Sequence, residues 1–418
     1  MNFKDTEIGR IPFEWDVRMI QDVAEVVSGA TPKTKVAEYW DGNIAWITPK
    51  DLSNHTERYI YRGDRMITDE GLKNSSAKLL PKGSVLFSSR APIGYTAIAA
   101  QELCTNQGFK SMICNQQILD NNFMFYMMNY KKNEIENIAG GSTFKEVSGK
   151  TVKEFKIPIP PLDEQKAIAK VLSDLDEKIE TNNKINKKLE EMAQTIFKQW
   201  FVDFEFPNED GKPYKSSGGE MVESERGMIP KGWEVVKLQD IGNLTMGLSP
   251  KSESYNAIGE GTPLLNGAAD FYGGLIKATK YTTKETRVCK KNDLVFCIRA
   301  TIGNITFADK EYCLGRGVAS IESKKSLYVG IIYMNLSRSI ERLKAQATGS
   351  VILGLSKPDI NDMKLILPTK EILNKYSDIF KNAFDKKHIL ELENDKLINL
   401  RNTLLPKLMS GEIRVPID

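Results

Sequence analysis

The sequence predicts an α+β (mixed α/β) chain. It reads as two similar, mostly-strand globules separated by two long helices that pair as a coiled coil, a pseudo-twofold internal repeat. Three observations carry this. The opening "IPFEWDVRMIQDVAEVVSGATP" (Ile11–Pro32) returns as "IPKGWEVVKLQDIGNLTMGLSP" (Ile229–Pro250), in register from the tryptophan to the closing proline. Each copy ends on an extended run that stops at proline, "KIPIPP" and "LILP". Each is followed by a stretch of roughly 40 residues with apolar positions spaced four and three apart, the period of a coiled-coil seam.

The repeat runs the length of the chain. "EIGRIP" at Glu7 matches "ERGMIP" at Glu225. "KGSVLFSSRAPIGYTAIA" at Lys82 matches "KNDLVFCIRATIGNITFA" at Lys291, pairing Arg90 with Arg299 and Gly94 with Gly303. "CTNQGFKSM" at Cys104 matches "CLGRGVASI" at Cys313, and Gly141 restarts the match at Gly349. Between the matched blocks, residues 33–80 and 251–290 hardly resemble each other. A common scaffold with a divergent insert is the natural reading.

Taken in order, each copy opens on a short strand and then a helical turn or second strand, ending at glycine. "GSVLFSSR" and "NDLVFCIR" are buried strands bounded by turn residues. "APIGYTAIA" and "ATIGNITFA" turn at glycine into another strand. "NNFMFYMMNYKKNEIENIA" and "SLYVGIIYMNLSRSIERLKAQA" have helical periodicity. From Leu162 to about Val202 there is neither proline nor glycine. The seam is Ile168, Leu172, Leu175, Ile179, Leu189, Ala193, Ile196 and Trp200, with Asn182 and Asn186 in its middle. The second copy places Tyr376, Phe380, Ala383, Lys387, Leu390, Asn394, Leu397, Arg401, Leu404 and Leu408 at the same steps. The alternative is a long surface helix lying on its own globule. Two seams of equal length with mid-seam asparagine fit one coiled coil, in which a buried asparagine fixes register. Pro406 predicts a kink or an early end. "DFEFPNEDGKPYKSSGGEMVESERGM" (Asp203–Met228) is polar and reads as an exposed linker.

The composition is that of an ordinary globular protein: 418 residues, 41% hydrophobic, 27% charged, net charge +3. That length suits two or three domains. No apolar run approaches a membrane span, and the first residues lack a signal-peptide core, so a cytoplasmic protein is expected. Five cysteines without CxxC spacing and two histidines, His55 and His388, argue against a metal site. "SGKT" at Ser148 mimics the tail of a phosphate loop, but Phe144 stands where the loop needs glycine. No HExxH, GxSxG or strand–GxGxxG–helix pattern occurs. A non-catalytic chain is expected. Its alternatives are a reader of a two-part polymer site and a two-module scaffold for protein partners. Half-sites on one face of DNA recur at roughly 34 Å.

At this point the motifs as a set resemble a family. "IPFEW" and "IPKGW", "SGATPKTKVAEYWDGNIAWITPKDL", "SRAPIG", "TNQGFK", "IPIPPLDEQKAIAKVLSDLDEKI", "KLEEMAQTIFKQWFVDFEFP" and "LLPKLMSGEIRV" are similar to the specificity subunit of type I restriction-modification systems. The resemblance covers nearly the whole chain. It implies target-recognition domains at 1–161 and 229–368, a central helix at 162–202, a linker at 203–228 and a C-terminal helix and tail at 369–418. The helices would form an antiparallel coiled coil that sets the gap between the halves of a bipartite double-stranded DNA target. They would dock two modification subunits, which methylate adenine with S-adenosylmethionine. Restriction subunits would add ATP- and Mg-dependent translocation and cleavage, leaving no cofactor in this chain. "PTKEILNKY" in place of "PPLDEQKAI", and "LLPKL" in place of "IFKQWF", depart from the pattern and predict less symmetric docking in the second half.

The candidate DNA-binding residues follow from the inserts. In the first half they are Lys33, Lys35, Lys50, Asn54, Arg58 and Arg62, among Arg65, Lys73, Trp40, Tyr59 and Tyr61. In the second they are Lys251, Asn266, Lys277 and Lys280, among Lys284, Arg287, Tyr255, Tyr272 and Tyr281. Lysine and arginine suit phosphates, and polar side chains suit base edges. Taken singly, each reads more readily as a solvated surface charge than as a DNA contact. Arg90 and Arg299 end matched strands and are either DNA contacts or a shared structural ion pair. Ser88 and Ser89 differ from their counterparts Cys297 and Ile298, as base readers in two different half-sites would. Asn182, Asn186 and Asn394 are the candidate register residues.

Overall fold

The computed structural model describes residues 2–140, 145–299, 302–346 and 354–416. Phe144, and the repeat's restart at Gly141 and Gly349, lie outside these. The chain forms two compact units, residues 1–181 with 394–418, and residues 182–393.

In the first unit the opening repeat is strand, turn and strand. Asp16–Met19 pairs antiparallel with Lys156–Ile159, Ile20–Val23 makes one helical turn, and Ala24–Ser28 enters a sheet. That sheet runs Ala24–Ser28, Lys110–Cys114, Val85–Ser89, Ile93–Ala99, Tyr59–Ile60. The helix Asn121–Asn137 begins where Asp120 accepts the Phe123 N–H at 2.9 Å. It buries Phe123, Met124, Tyr126, Met127 and Met128 in a core with Trp15 and Phe87. Ser148 of the "SGKT" run caps the short helix Gly149–Glu154 by accepting from the Thr151 N–H, so the run is a helix start.

The second unit repeats the plan. Glu234–Lys237 pairs with Lys364–Leu367, and Gly242–Met246 joins Val318–Ser323, Leu294–Cys297 and Ile305–Phe307 in a four-stranded sheet. Its helix is Val329–Gln346. A framework ion pair also recurs: Lys156 Nζ meets Glu7 at 2.6 Å, and Lys364 Nζ meets Glu225 at 2.6 Å.

Residues 203–228 depart from the expectation of an exposed linker. Phe204 and Phe206 are buried, and Phe206 stacks on Trp233 at 4.8 Å and on Tyr214 at 4.5 Å. Met221–Ser224 and Gly227–Pro230 form a hairpin, the counterpart of Phe3–Thr6 with Gly9–Pro12. The polar residues cover the outside; the alternating phenylalanines of "DFEF" reach the core. Position 414 of the tail matches position 206 in the repeat. In the first unit Arg414 bonds Glu164, which also accepts the Trp15 Nε1–H at 3.0 Å. In the second unit a residue that follows a long helix stacks on the tryptophan; in the first, Glu164 in the opening turn of one long helix holds Trp15, and Arg414, which follows the other, bonds that carboxylate.

The long helices are Leu162–Phe201 and Lys370–Met409, 40 residues each, so roughly 60 Å long. Within the first unit Arg401 Nη1 donates to Asp176 at 2.6 Å, and Ile168 and Leu172 share a core with Leu408. Within the second, Asn182 Nδ2 donates to Glu393 at 2.8 Å and Lys387 meets Glu190 at 3.1 Å. Phe201 lies edge-on to Tyr376 at 4.7 Å. Partners descend on one helix as they ascend on the other, so the pair is antiparallel. Ile168, Leu172, Ile179, Ala193 and Trp200 are buried as the seam predicts, but Phe197 is more buried than Ile196, and Asp176 than Leu175. Asn182, Asn186 and Asn394 are all buried. The helix does not end early at Pro406; it continues to Met409, anchored by buried Leu408 and Met409.

Candidate nucleic-acid interface

The first insert is built on the strand Trp40–Ile47. It pairs antiparallel with Arg65–Ile67 and parallel with Cys104–Thr105. Two indoles pin the loop that leads into it: Trp46 Nε1 donates to Ala30 O at 3.0 Å and Trp40 Nε1 to Lys33 O at 3.3 Å. The rings meet edge to face at 5.1 Å, and the Arg65 guanidinium lies 3.4 Å above Trp40. This fixes the loop from which Lys33 and Lys35 project into solvent. After Ile47 the chain turns through Pro49–Leu52, where the Asp51 carboxylate accepts the Thr48 N–H at 2.7 Å. Lys50, Asn54 and Arg62 are exposed around this turn. Lys50 approaches Asp64 at 3.8 Å, but both are so exposed that the pair contributes little.

The second insert uses the same wiring despite its unlike sequence. Leu264–Leu265 runs parallel with Cys313–Leu314, as Trp46–Ile47 does with Cys104–Thr105. A turn follows in which Asp270 accepts the Asn266 and Gly267 N–H groups at 2.7 and 3.1 Å. Asn266 sits half-buried at its start, and Lys251 and Lys280 are exposed. Lys277 lies over the exposed Tyr272 ring at 4.6 Å.

Three candidates have other work. Ser88 and Ser89 are fully buried. Ser88 Oγ donates to Pro92 O at 2.7 Å and accepts the Tyr95 N–H; Ser89 Oγ donates to Gly108 O at 3.2 Å. A hydroxyl with no solvent access cannot meet a base edge, so both leave the candidate set. Arg58 is also buried. It donates to Glu177 at 2.8 Å, and its backbone N–H donates to Glu180 at 2.8 Å, fastening the insert to the central helix. Spacing along the chain gave no signal for this, because the partners lie far away in sequence.

The duplicated arginines diverge. Arg90 is half-exposed and sits 3.5 Å from Glu146, which Lys110 also approaches at 3.9 Å. In the second copy Gly354 stands for Glu146 and Ala319 for Lys110, and Arg299 is exposed. Arg90 is therefore in part a structural charge, whereas the second copy supplies Arg299 with no matching carboxylate.

The second insert meets its helix differently from the first. Gly274, with φ of +87°, lies so close to Glu391 that a Cβ there would strike the carboxyl. Burial pushes the Glu391 carboxyl up to about 7, against the pull of Lys387, with Glu190 adding to the rise. A raised carboxyl favours folding while it is protonated. The fold loses stability as pH climbs from the ordinary carboxylate range through about 7, and the penalty persists above. Glu391→Gln should remove that dependence and stabilise the protein at pH 8 by about 1–2 kcal/mol, after allowing for residual solvent access. Urea unfolding at pH 5 and pH 8 checks this; equal gains at both would contradict it.

Among the described residues no group of histidine, cysteine and carboxylate is arranged to hold a metal, and the five cysteines are buried and free. Burial pushes the Cys104 thiol to about 11 and those of Cys114, Cys289 and Cys297 to about 12, so these are inert packing residues. No described helix is long and apolar enough to cross a membrane.

Comparison with known proteins agrees with this geometry. The family model described as the type I restriction modification DNA specificity domain matches twice, over residues 12–191 and 230–401. The MjaIX specificity subunit of Methanocaldococcus jannaschii is 37% identical over 99% of this chain and 96% of its own. The HindI specificity subunit of Haemophilus influenzae is 24% identical over 89% and 94%. The crystal structure of the type I restriction-modification S subunit from M. genitalium shares the fold, with a TM-score of 0.62 at 19% identity over 94% and 96% of the two chains. Two copies of one scaffold, two differing inserts and a pair of long helices, matched over nearly their whole length, place this chain in the family of type I restriction-modification DNA specificity subunits.

Proposed function

We propose that the chain is the non-catalytic, cytoplasmic reader of a type I restriction-modification complex. Each unit recognises one part of a bipartite DNA target. The helix pair sets the spacing and docks two modification subunits that methylate adenine. S-adenosylmethionine, ATP and Mg belong on the modification and restriction subunits. The observation that carries this reading is the contrast inside each unit: a duplicated frame, down to the same ion pair, supports inserts with the same wiring and different surfaces.

The chemistry divides accordingly. Exposed Lys33, Lys35, Lys50 and Arg62 in one unit, and Lys251, Lys280 and Arg299 in the other, suit phosphates and orient the duplex. Asn54 and Asn266 suit base edges, since an amide offers donor and acceptor together. Adenine methylation requires the base to leave the stack, so the reader also holds a distorted duplex. The test exchanges residues 33–150 for those of a relative with a different target and maps the methylated sites. One half of the target should change and the other stay. Change in both halves, or in neither, overturns the reading.

A further inference from the structure

The second unit carries a groove of about 550 Å³ outside the insert. Its floor is apolar: Phe197, Phe201 and Phe204 from the end of the central helix, with Met363 and Ile366 from the last strand region. Its rim is basic. Arg226 comes from the hairpin tip, and Arg338 and Arg342 stand one turn apart on the helix Val329–Gln346. Lys364 also borders it but is neutralised by Glu225, and Glu341 is the one acid among the lining residues. The three arginines are exposed, and among the described residues no carboxylate pairs with them. Arg226 donates to Lys364 O at 2.7 Å and Arg342 to Ser339 Oγ at 3.3 Å, while the Arg338 guanidinium lies 5.7 Å from the Phe197 ring centre.

We propose that this groove docks an acidic segment of the modification subunit, one that lays apolar side chains on the phenylalanine floor and turns carboxylates to Arg226, Arg338 and Arg342. Guanidinium groups bind carboxylates in bidentate fashion, and three unpaired ones around an apolar floor match an acidic amphipathic segment. A DNA backbone would use the charges but not the floor. The groove also belongs to the frame and not to the insert, so it is independent of which sequence is read. The first unit keeps the flanking Glu7–Lys156 pair but has Ile8 where the second has Arg226. The dock is therefore specific to the second half.

This inference rests on the proposed role in a modification complex, and the experiment separates the two. The full-length chain, wild type and R338E/R342E, is titrated with its cognate modification subunit by analytical ultracentrifugation. Circular dichroism and the conservative R338K/R342K variant control for folding. The wild type should take up two modification subunits. The charge reversal should weaken uptake of one of them by more than tenfold and leave the other, and the Lys variant, which keeps the charge but loses the bidentate fork, should fall between it and wild type. Uptake by R338E/R342E equal to wild type overturns the dock. So does a loss confined to DNA binding with assembly intact, which would make the groove a nucleic-acid contact. A wild-type chain that binds no modification subunit overturns the underlying functional reading instead.

Discussion

Glu164→Ala should destabilise the first unit by about 3–5 kcal/mol, among the largest effects any single substitution in this chain produces. Glu164 is fully buried. One of its carboxylate oxygens accepts both the Trp15 indole N–H at 3.0 Å and Arg414 Nη2 at 2.9 Å, and Arg414 also meets Glu14 at 3.2 Å. The hydrogen bond to Glu164 holds the Arg414 guanidinium above its ordinary range, the mark of a charge the fold keeps ionised. Without the carboxylate, the buried indole loses its acceptor and the guanidinium keeps only the exposed Glu14. Glu164→Gln keeps a neutral acceptor and should cost less. In guanidinium unfolding followed by tryptophan fluorescence, the transition of the first unit should move to lower denaturant while that of the second stays. A loss under about 1 kcal/mol would show that water or Glu14 replaces the buried pair.

Asp176→Ala should cost about 3–4 kcal/mol for a related reason, and its rescue tells more than the loss. Asp176 lies in the helix seam, accepting the Tyr126 hydroxyl at 2.6 Å and Arg401 Nη1 at 2.6 Å. The matching position in the second unit is Phe384, which stacks on Phe380 at 4.1 Å and lies edge-on to Tyr333 at 4.5 Å. One frame thus accepts an ion-paired or an aromatic filling at the same place. The single change strands Arg401 and the tyrosine hydroxyl. The triple variant Asp176→Leu, Arg401→Leu, Tyr126→Phe replaces all the polar groups together and should recover most of the stability. If the triple variant were as unstable as Asp176→Ala, shape and not stranded polarity would govern the site.

What could be read from the chain follows physical range. The matched strands and helices are local patterns of apolar runs bounded by turn residues, and they stand where the periodicity puts them. The seam is right to within one position: Phe197 and Asp176 are buried beside Ile196 and Leu175 because a helix face is wider than a strict heptad line. Burial of charged and hydroxyl groups was not legible. Arg58 finds its carboxylate 119 residues away, and Ser89 its acceptor at Gly108, in the turn before the neighbouring strand. The shared wiring of the inserts was hidden because parallel pairing uses backbone groups that any side chain permits. The segment after Val202 misled by composition, since two phenylalanines among many polar residues settle into the core.

The most direct measurement of the central claim is a long-read methylation map of DNA exposed to the chain assembled with its modification subunit. The account predicts one bipartite motif, two short specified parts separated by an unspecified gap of fixed length, with methylated adenine in each part. A continuous motif, or methylation without sequence preference, would contradict it.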